Sequence, residues 1–214
     1  MELQEATTAG LIARKLLEIK AIKLQPTQPF TWASGWKSPI YCDNRLALSF
    51  PEVRSLIKGQ LVEVAKQKFP GVEAVAGVAT AGIPQGALLA DALDLPFLYV
   101  RSKAKGHGME NMIEGKVTPG QKVLVVEDLV STGGSSLKAV QDLRDAGFEV
   151  LGMVAIFTYG FELAKENFEK AGVMLVCLSD YESMLPQAIE ERYVSDADLA
   201  SLITWRKDPA SWGK

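Results

Sequence analysis

Apolar residues recur along this 214-residue chain in two rhythms, and the switching between them is its main structural signal. Helical spacing over 8–22 puts Leu11, Ile12, Leu16, Leu17 and Ile19 on one broad face, with Pro26 and Pro29 as the stop. From Phe30 to Asn44 the chain is aromatic and polar, broken by Gly35 and Pro39, which predicts short strands joined by a turn. Pro51 suits the first turn of a second helix running to about Lys68. Beyond it short apolar strands and amphipathic helices alternate. Strands are predicted over 74–79, 97–101, 123–126, 150–157 and 173–178. Helices are predicted over 84–93, 137–146 and 162–171, with a last one from about Ser195. This alternation calls for an α/β fold with a central parallel sheet flanked by helices on both faces.

In such a sheet ligands bind outside the carboxyl ends of the strands, and three segments at those ends carry chemistry. The strand over 123–126 runs into two acids, Glu127 and Asp128, then Leu129, Val130, Ser131, Thr132, Gly133, Gly134 and Ser135, before a helical pattern begins. Carboxylates can accept hydrogen bonds from ribose hydroxyls, and small polar residues at a helix start can wrap a phosphate. An ordinary helix-capping turn is the plain alternative. A second turn holds Thr80, Ala81 and Gly82, small enough for close approach of backbone to an anion. It lacks the Lys-Ser or Lys-Thr of a nucleotide-hydrolase loop and the glycine spacing of a dinucleotide site. The third segment, 101–115, has little apolar periodicity and carries Arg101, Lys103, Lys105 and the chain's one histidine, His107. A long glycine-punctuated basic loop in an α/β domain suits a mobile lid that closes over an anionic substrate.

Composition narrows the classes. A net charge of −3 argues against bulk nucleic-acid binding. No run approaches the ~20 apolar residues of a membrane span, and the acidic, polar start Met1-Glu2-Leu3-Gln4-Glu5 does not read as a secretory signal. Cys42 and Cys177 lie far apart without metal-ligand spacing, which suits reduced thiols. The expectation is a cytoplasmic α/β protein that binds neither nucleic acid nor membrane.

Glu127-Asp128 with residues 131–135 resembles the 5-phosphoribosyl 1-diphosphate (PRPP) motif of type I phosphoribosyltransferases. The run Arg101-Ser102-Lys103-Ala104-Lys105-Gly106-His107-Gly108 resembles the mobile catalytic loop of the orotate phosphoribosyltransferase family. Residues 30–43, FTWASGWKSPIYCD, resemble its N-terminal hood strands. The resemblance spans about 30–157 and implies a type I phosphoribosyltransferase fold. It divides the chain into a small N-terminal hood, 1–50, and a PRPP-binding core, 51–214, carrying the mobile loop 101–115. It implies transfer of phosphoribose from PRPP to orotate with Mg²⁺, held mainly by substrate oxygens and water. Glu127 and Asp128 would hold the ribose hydroxyls, Leu129 to Ser135 the 5′-phosphate, and Thr80, Ala81 and Gly82 the pyrophosphate. Ser131 and Lys37 would meet orotate. Arg101, Lys103, Lys105 and His107 would act on PRPP across a homodimer with shared sites, Arg101, Lys105 and His107 as the catalytic groups.

The chain departs from the family pattern at three places. Ser102 stands where many members carry a second Lys, Ala33 where some carry a Lys, and Thr158-Tyr159 where some carry an Arg for the orotate carboxylate. Backbone N–H groups or Lys37 are then the expected carboxylate donors. Two rival readings are a transferase for another base and a non-catalytic PRPP sensor. The basic loop and the hood run oppose the first; the lack of a helix-turn-helix pattern in the first fifty residues opposes the second. The expected outcome for Lys105→Ala is a turnover roughly 10²–10³-fold lower, the range for removing one transition-state donor. Steady-state kinetics showing an unchanged rate would remove Lys105 from the mechanism.

Overall fold

The structure, a computed structural model, describes residues 8–32, 35–102 and 112–212. Its N-terminal part comprises α1 (Thr8–Glu18), β1 (Ile22–Leu24), β2 (Phe30–Thr31), β3 (Lys37–Ser38), β4 (Ile40–Cys42) and a 3-10 helix, Asn44–Ser49. Then come α2 (Pro51–Lys68), β5 (Ala74–Val78), α3 (Gly82–Leu93), β6 (Phe97–Val100), β7 (Ile113–Glu114) and β8 (Lys122–Val130). The chain continues through α4 (Gly134–Asp145), β9 (Glu149–Thr158), α5 (Glu162–Ala171), β10 (Leu175–Asp180), α6 (Tyr181–Glu190) and α7 (Asp196–Lys207).

The main sheet has the order β10-β9-β8-β5-β6-β7. Every neighbouring pair is parallel except β6–β7. The chain builds outward from β5 to β6 and β7, then returns to lay β8 on the other side of β5. That reversal makes the ends of β5 and β8 a topological switch point, where two connections leave in opposite directions and open a crevice.

Strand periodicity explains the two faces. Val75, Leu124, Val126, Val154 and Ile156 point into one buried cluster with α1, α2, α3, α6 and α7. Their neighbours Ala74, Ala76, Val123, Val125, Met153 and Ala155 point into a second, closed by α4 and α5. The small residues of β5 let helices lie close on both sides. Ile12, Leu16 and Leu17 of α1, with Ile22 and Ile40, join the first cluster, so the N-terminal elements share core with the sheet.

Several boundaries differ from the sequence expectation, each for a local reason. The first helix stops at Glu18 instead of Ile22, because Lys20 takes a left-handed φ of 59°. Ile22 instead opens β1, which pairs with β4. The strand expected over 123–126 runs on to Val130, since Glu127, Leu129 and Val130 keep their register with β9. Helix α4 starts at Gly134, three residues before the apolar pattern begins at Leu137. Helix α6 was not expected at all. Pro186 reads as a breaker, yet it lies inside the helix, whose start is fixed by Asp180 Oδ1 accepting from the Ser183 N–H at 2.7 Å.

Three glycines let α3 seat on the sheet at the switch point. A Cβ at Gly82 would lie 2.4 Å from the Val126 carbonyl oxygen, and one at Gly77 would lie 2.9 Å from the Gly82 carbonyl oxygen. At Gly86 it would meet the Phe97 ring at 2.8 Å. Backbone thus packs on backbone. Gly82→Ala is expected to destabilise by about 1–3 kcal/mol, the cost of overpacking a site that cannot yield. Gly134→Ala, whose added Cβ meets nothing within 4 Å, is expected to stay within about 1 kcal/mol of the parent. Urea unfolding midpoints at constant slope distinguish the two.

Candidate active site

The switch point brings the first two sequence motifs together. Gly82 lies directly on the end of β8, its Cβ direction 3.3 Å from the Glu127 Cα. The turn Thr80-Ala81 therefore faces the acids. The third motif enters from the other side: the Ala79 N–H donates to the Val100 carbonyl at 2.8 Å, which places Arg101 beside Thr80. Arg101 Nη1 pairs with Glu114 Oε1 at 3.1 Å. Lys103, Lys105 and His107, and also Ala33, lie outside the described residues.

The two acids lie within β8 itself and are not equivalent. Glu127 is buried, with Oε2 accepting from Ser136 Oγ at 3.1 Å and Oε1 from the Asp128 N–H at 3.0 Å. Burial, reinforced by the neighbouring Asp128 charge, pushes the Glu127 carboxyl up to about 8. Burial also raises Asp128, but its hydrogen bonds and the positive charge of Arg45 work the other way. At neutral pH the buried Glu127 carboxyl thus keeps its proton. Two carboxyl groups side by side at the strand end suit a pair of vicinal hydroxyls.

Past the acids, Ser131 and Thr132 are half-buried while Gly134 and Ser135 are exposed at the start of α4. Gly133 adopts φ 83°, and a Cβ there would strike the Phe168 ring at 2.7 Å. No side chain caps α4, so no capping side chain takes up its first-turn N–H groups, as in the helix starts that bind anions. The loop is braced from behind. Asn167 Nδ2 donates to the Thr132 carbonyl at 2.9 Å, and Thr158 Oγ1 to the Val130 carbonyl at 3.0 Å.

Beside this loop opens a cavity of about 260 Å³ lined by Thr31, Trp32, Tyr41, Cys42, Leu129, Ser131 and Tyr159. The Trp32 and Tyr159 rings lie 5.0 Å apart, and each touches Trp205. The floor is therefore built on core aromatics. Lys37 reaches the rim, its Nζ donating to Thr31 Oγ1 at 2.8 Å. Asn44 latches the N-terminal segment to the acids, its Nδ2 donating to the Asp128 carbonyl at 2.7 Å. A larger apolar groove of about 700 Å³ between α6 and α7 contains none of the expected site residues.

Of the expected residues the fold thus gathers Thr80, Ala81, Gly82, Arg101 and the whole run Glu127 to Ser135, with Lys37 at the edge. Sequence reasoning missed Thr31, Tyr41, Cys42 and Tyr159 as cavity walls, Asn44 as the latch and Ser136 as the partner of Glu127. Alternation along β4 was the available signal for Tyr41, and the helical register of α4 for Ser136.

An acid pair, an uncapped helix start and a close-packed small-residue turn meet at one switch point, an arrangement suited to a phosphorylated sugar, and comparison with known proteins points the same way. Residues 47–178 match the phosphoribosyl transferase domain, so the chain belongs to the phosphoribosyltransferase family. Within that family it groups with the orotate phosphoribosyltransferases. The enzyme of that name from Cytophaga hutchinsonii is 57% identical over 203 residues, 95% of this chain and 97% of the relative. The crystal structure of orotate phosphoribosyltransferase from Aeropyrum pernix superimposes with a TM-score of 0.74 at 32% identity, over 86% of this chain and 99% of that one. The Mycobacterium tuberculosis orotate phosphoribosyltransferase in complex with PRPP gives 0.65 at 25% identity, over 83% and 98%.

The raised Glu127 carboxyl has a defined consequence for stability. An unfolded-chain Glu titrates near 4.5 and the folded one near 8. Its contribution to stability is therefore full below 4.5 and is lost as pH rises through 8. Glu127→Gln can keep both hydrogen bonds, with its carbonyl toward the Asp128 N–H and its amide toward Ser136 Oγ, and carries no proton to lose. Thermal unfolding from pH 5 to 9 is expected to show a decline in the parent that this variant lacks.

Proposed function

We propose that this chain transfers the 5-phosphoribosyl group from PRPP to orotate, giving orotidine 5′-monophosphate and pyrophosphate in pyrimidine synthesis. The observation that carries the reading is the juxtaposition of the Glu127–Asp128 pair and the uncapped start of α4 with a flat, aromatic-walled cavity. Sugar, phosphate and base thus have adjoining places. Asp128 and Glu127 hold the ribose hydroxyls. Leu129, Val130, Ser131, Thr132, Gly133, Gly134 and Ser135 take the 5′-phosphate, and Thr80, Ala81 and Gly82 border the pyrophosphate. Ser131 and Lys37 contact the base, Lys37 from the rim beside Thr31.

In the reaction the bond from C1′ to pyrophosphate breaks, its electron pair leaving with the oxygen, while orotate N1 bonds to C1′ and gives up its proton to the departing pyrophosphate or to water. The sugar passes through oxocarbenium character, so the carboxyl oxygens of the acid pair beside the ribose favour the transition state, and no protein nucleophile is needed. Arg101, Lys103, Lys105 and His107 offset charge on the leaving group. In this reading they do so across a homodimer, the enzyme being cytoplasmic. Mg²⁺ is the cofactor. Among the described residues no group of three or more His, Cys, Asp or Glu side chains could hold a metal ion. In this reading the ion is bound mainly by pyrophosphate oxygens and water. When bound it would draw negative charge from the leaving group.

The test is the loss of orotate absorbance, measured with every combination of PRPP, Mg²⁺ and protein. Loss is expected only when all components are present. Tight PRPP binding without any loss of orotate would point to a different base.

A further inference from the structure

Orotate carries a carboxylate on the carbon next to N1, the atom that joins the sugar. With N1 turned toward the ribose acids, that carboxylate must lie where the base cavity meets Asp128. Among the described residues the cavity walls carry no cationic side chain, and the sugar side holds the Glu127–Asp128 pair. An anionic base needs a cation at this junction. Among the described residues Arg206 borders the wall at Tyr159, but its guanidinium is taken up by the Tyr159 and Gly160 carbonyls and by Glu182, and two further cations come near. Lys37 is held at Thr31 on the β2–β3 hairpin.

Arg45 follows the wall residues Tyr41 and Cys42 by a few positions, and its charge reaches both Tyr41 and Asp128. The intervening Asn44 is tied to the Asp128 carbonyl at 2.7 Å, which fixes this stretch against the acids. Asp43 grips the guanidinium from one side, with Nε at 2.6 Å and Nη2 at 2.9 Å. That grip uses two of the five guanidinium N–H donors and leaves an edge for a second carboxylate. The Arg45 side chain is 58% exposed, so it fills no place in the core.

We propose that Arg45, pre-set by Asp43, binds the carboxylate of orotate and selects it over pyrimidines that lack one. The inference rests on the base-cavity reading above. It assigns to the 43–45 segment the work that an Arg after β9 does in some family members, at the place where this chain has Thr158-Tyr159.

The test compares product inhibition by orotidine 5′-monophosphate and by uridine 5′-monophosphate, which differ only in the carboxylate, in the parent, Arg45→Ala, Arg45→Lys and Lys37→Ala. The parent is expected to prefer the carboxylated nucleotide. In Arg45→Ala that preference should fall about 10–100-fold, the range for losing a charge-assisted hydrogen bond, while inhibition by uridine 5′-monophosphate and the KM for PRPP hold. Arg45→Lys should fall between the two. Equal weakening of both nucleotides would make Arg45 a support of the ribose acids and overturn the proposal. Collapse of the preference in Lys37→Ala alone, or in neither, would also overturn it. A parent that neither turns over orotate nor prefers the carboxylated nucleotide would instead overturn the function reading.

Discussion

The site depends on one costly arrangement, a carboxyl group buried at the end of the central strand. Glu127 keeps two hydrogen bonds, from Ser136 Oγ and from the Asp128 N–H, and little water. The Ser136 bond ties α4 to the strand. The neighbouring turn can approach only because Gly82 has no side chain to meet the Val126 carbonyl. The acid pair, the loop before α4 and the turn before α3 are thus spaced by backbone contacts, which vary little compared with side-chain ones.

The fold was legible because β5, β8 and β9 are buried on both faces, which shows as short runs of uninterrupted apolar residues. The acids and small residues that follow such runs mark the ligand edge. What stayed hidden depends on pairing partners far away in the chain. That β8 extends through Glu127 follows from its register with β9, and Ile22 is a strand residue only because β4 lies alongside. Tyr159 and Trp32 come from opposite ends of the sequence match and meet only in three dimensions. Helix α6 was concealed by Pro186, whose usual meaning Asp180 and the packing of Tyr181, Met184 and Leu185 override.

The comparisons and the geometry address different parts of the molecule. Similarity over nearly the whole chain fixes the family, while the placement of Thr31, Tyr41, Cys42 and Asn44 shows how the N-terminal segment forms one wall of the site. Tyr159, which follows β9 where some family members carry an Arg, belongs to the same wall.

The Trp32–Tyr159–Trp205 cluster carries this further. Trp205 is completely buried on α7 and touches both cavity rings from behind. The cavity wall is therefore continuous with the C-terminal helix, whereas Glu127 is anchored through α4. Divergence in α7 can reshape the cavity from its hidden side and leave the acid pair and its loop intact, so that the two halves of the site are separately open to evolutionary change.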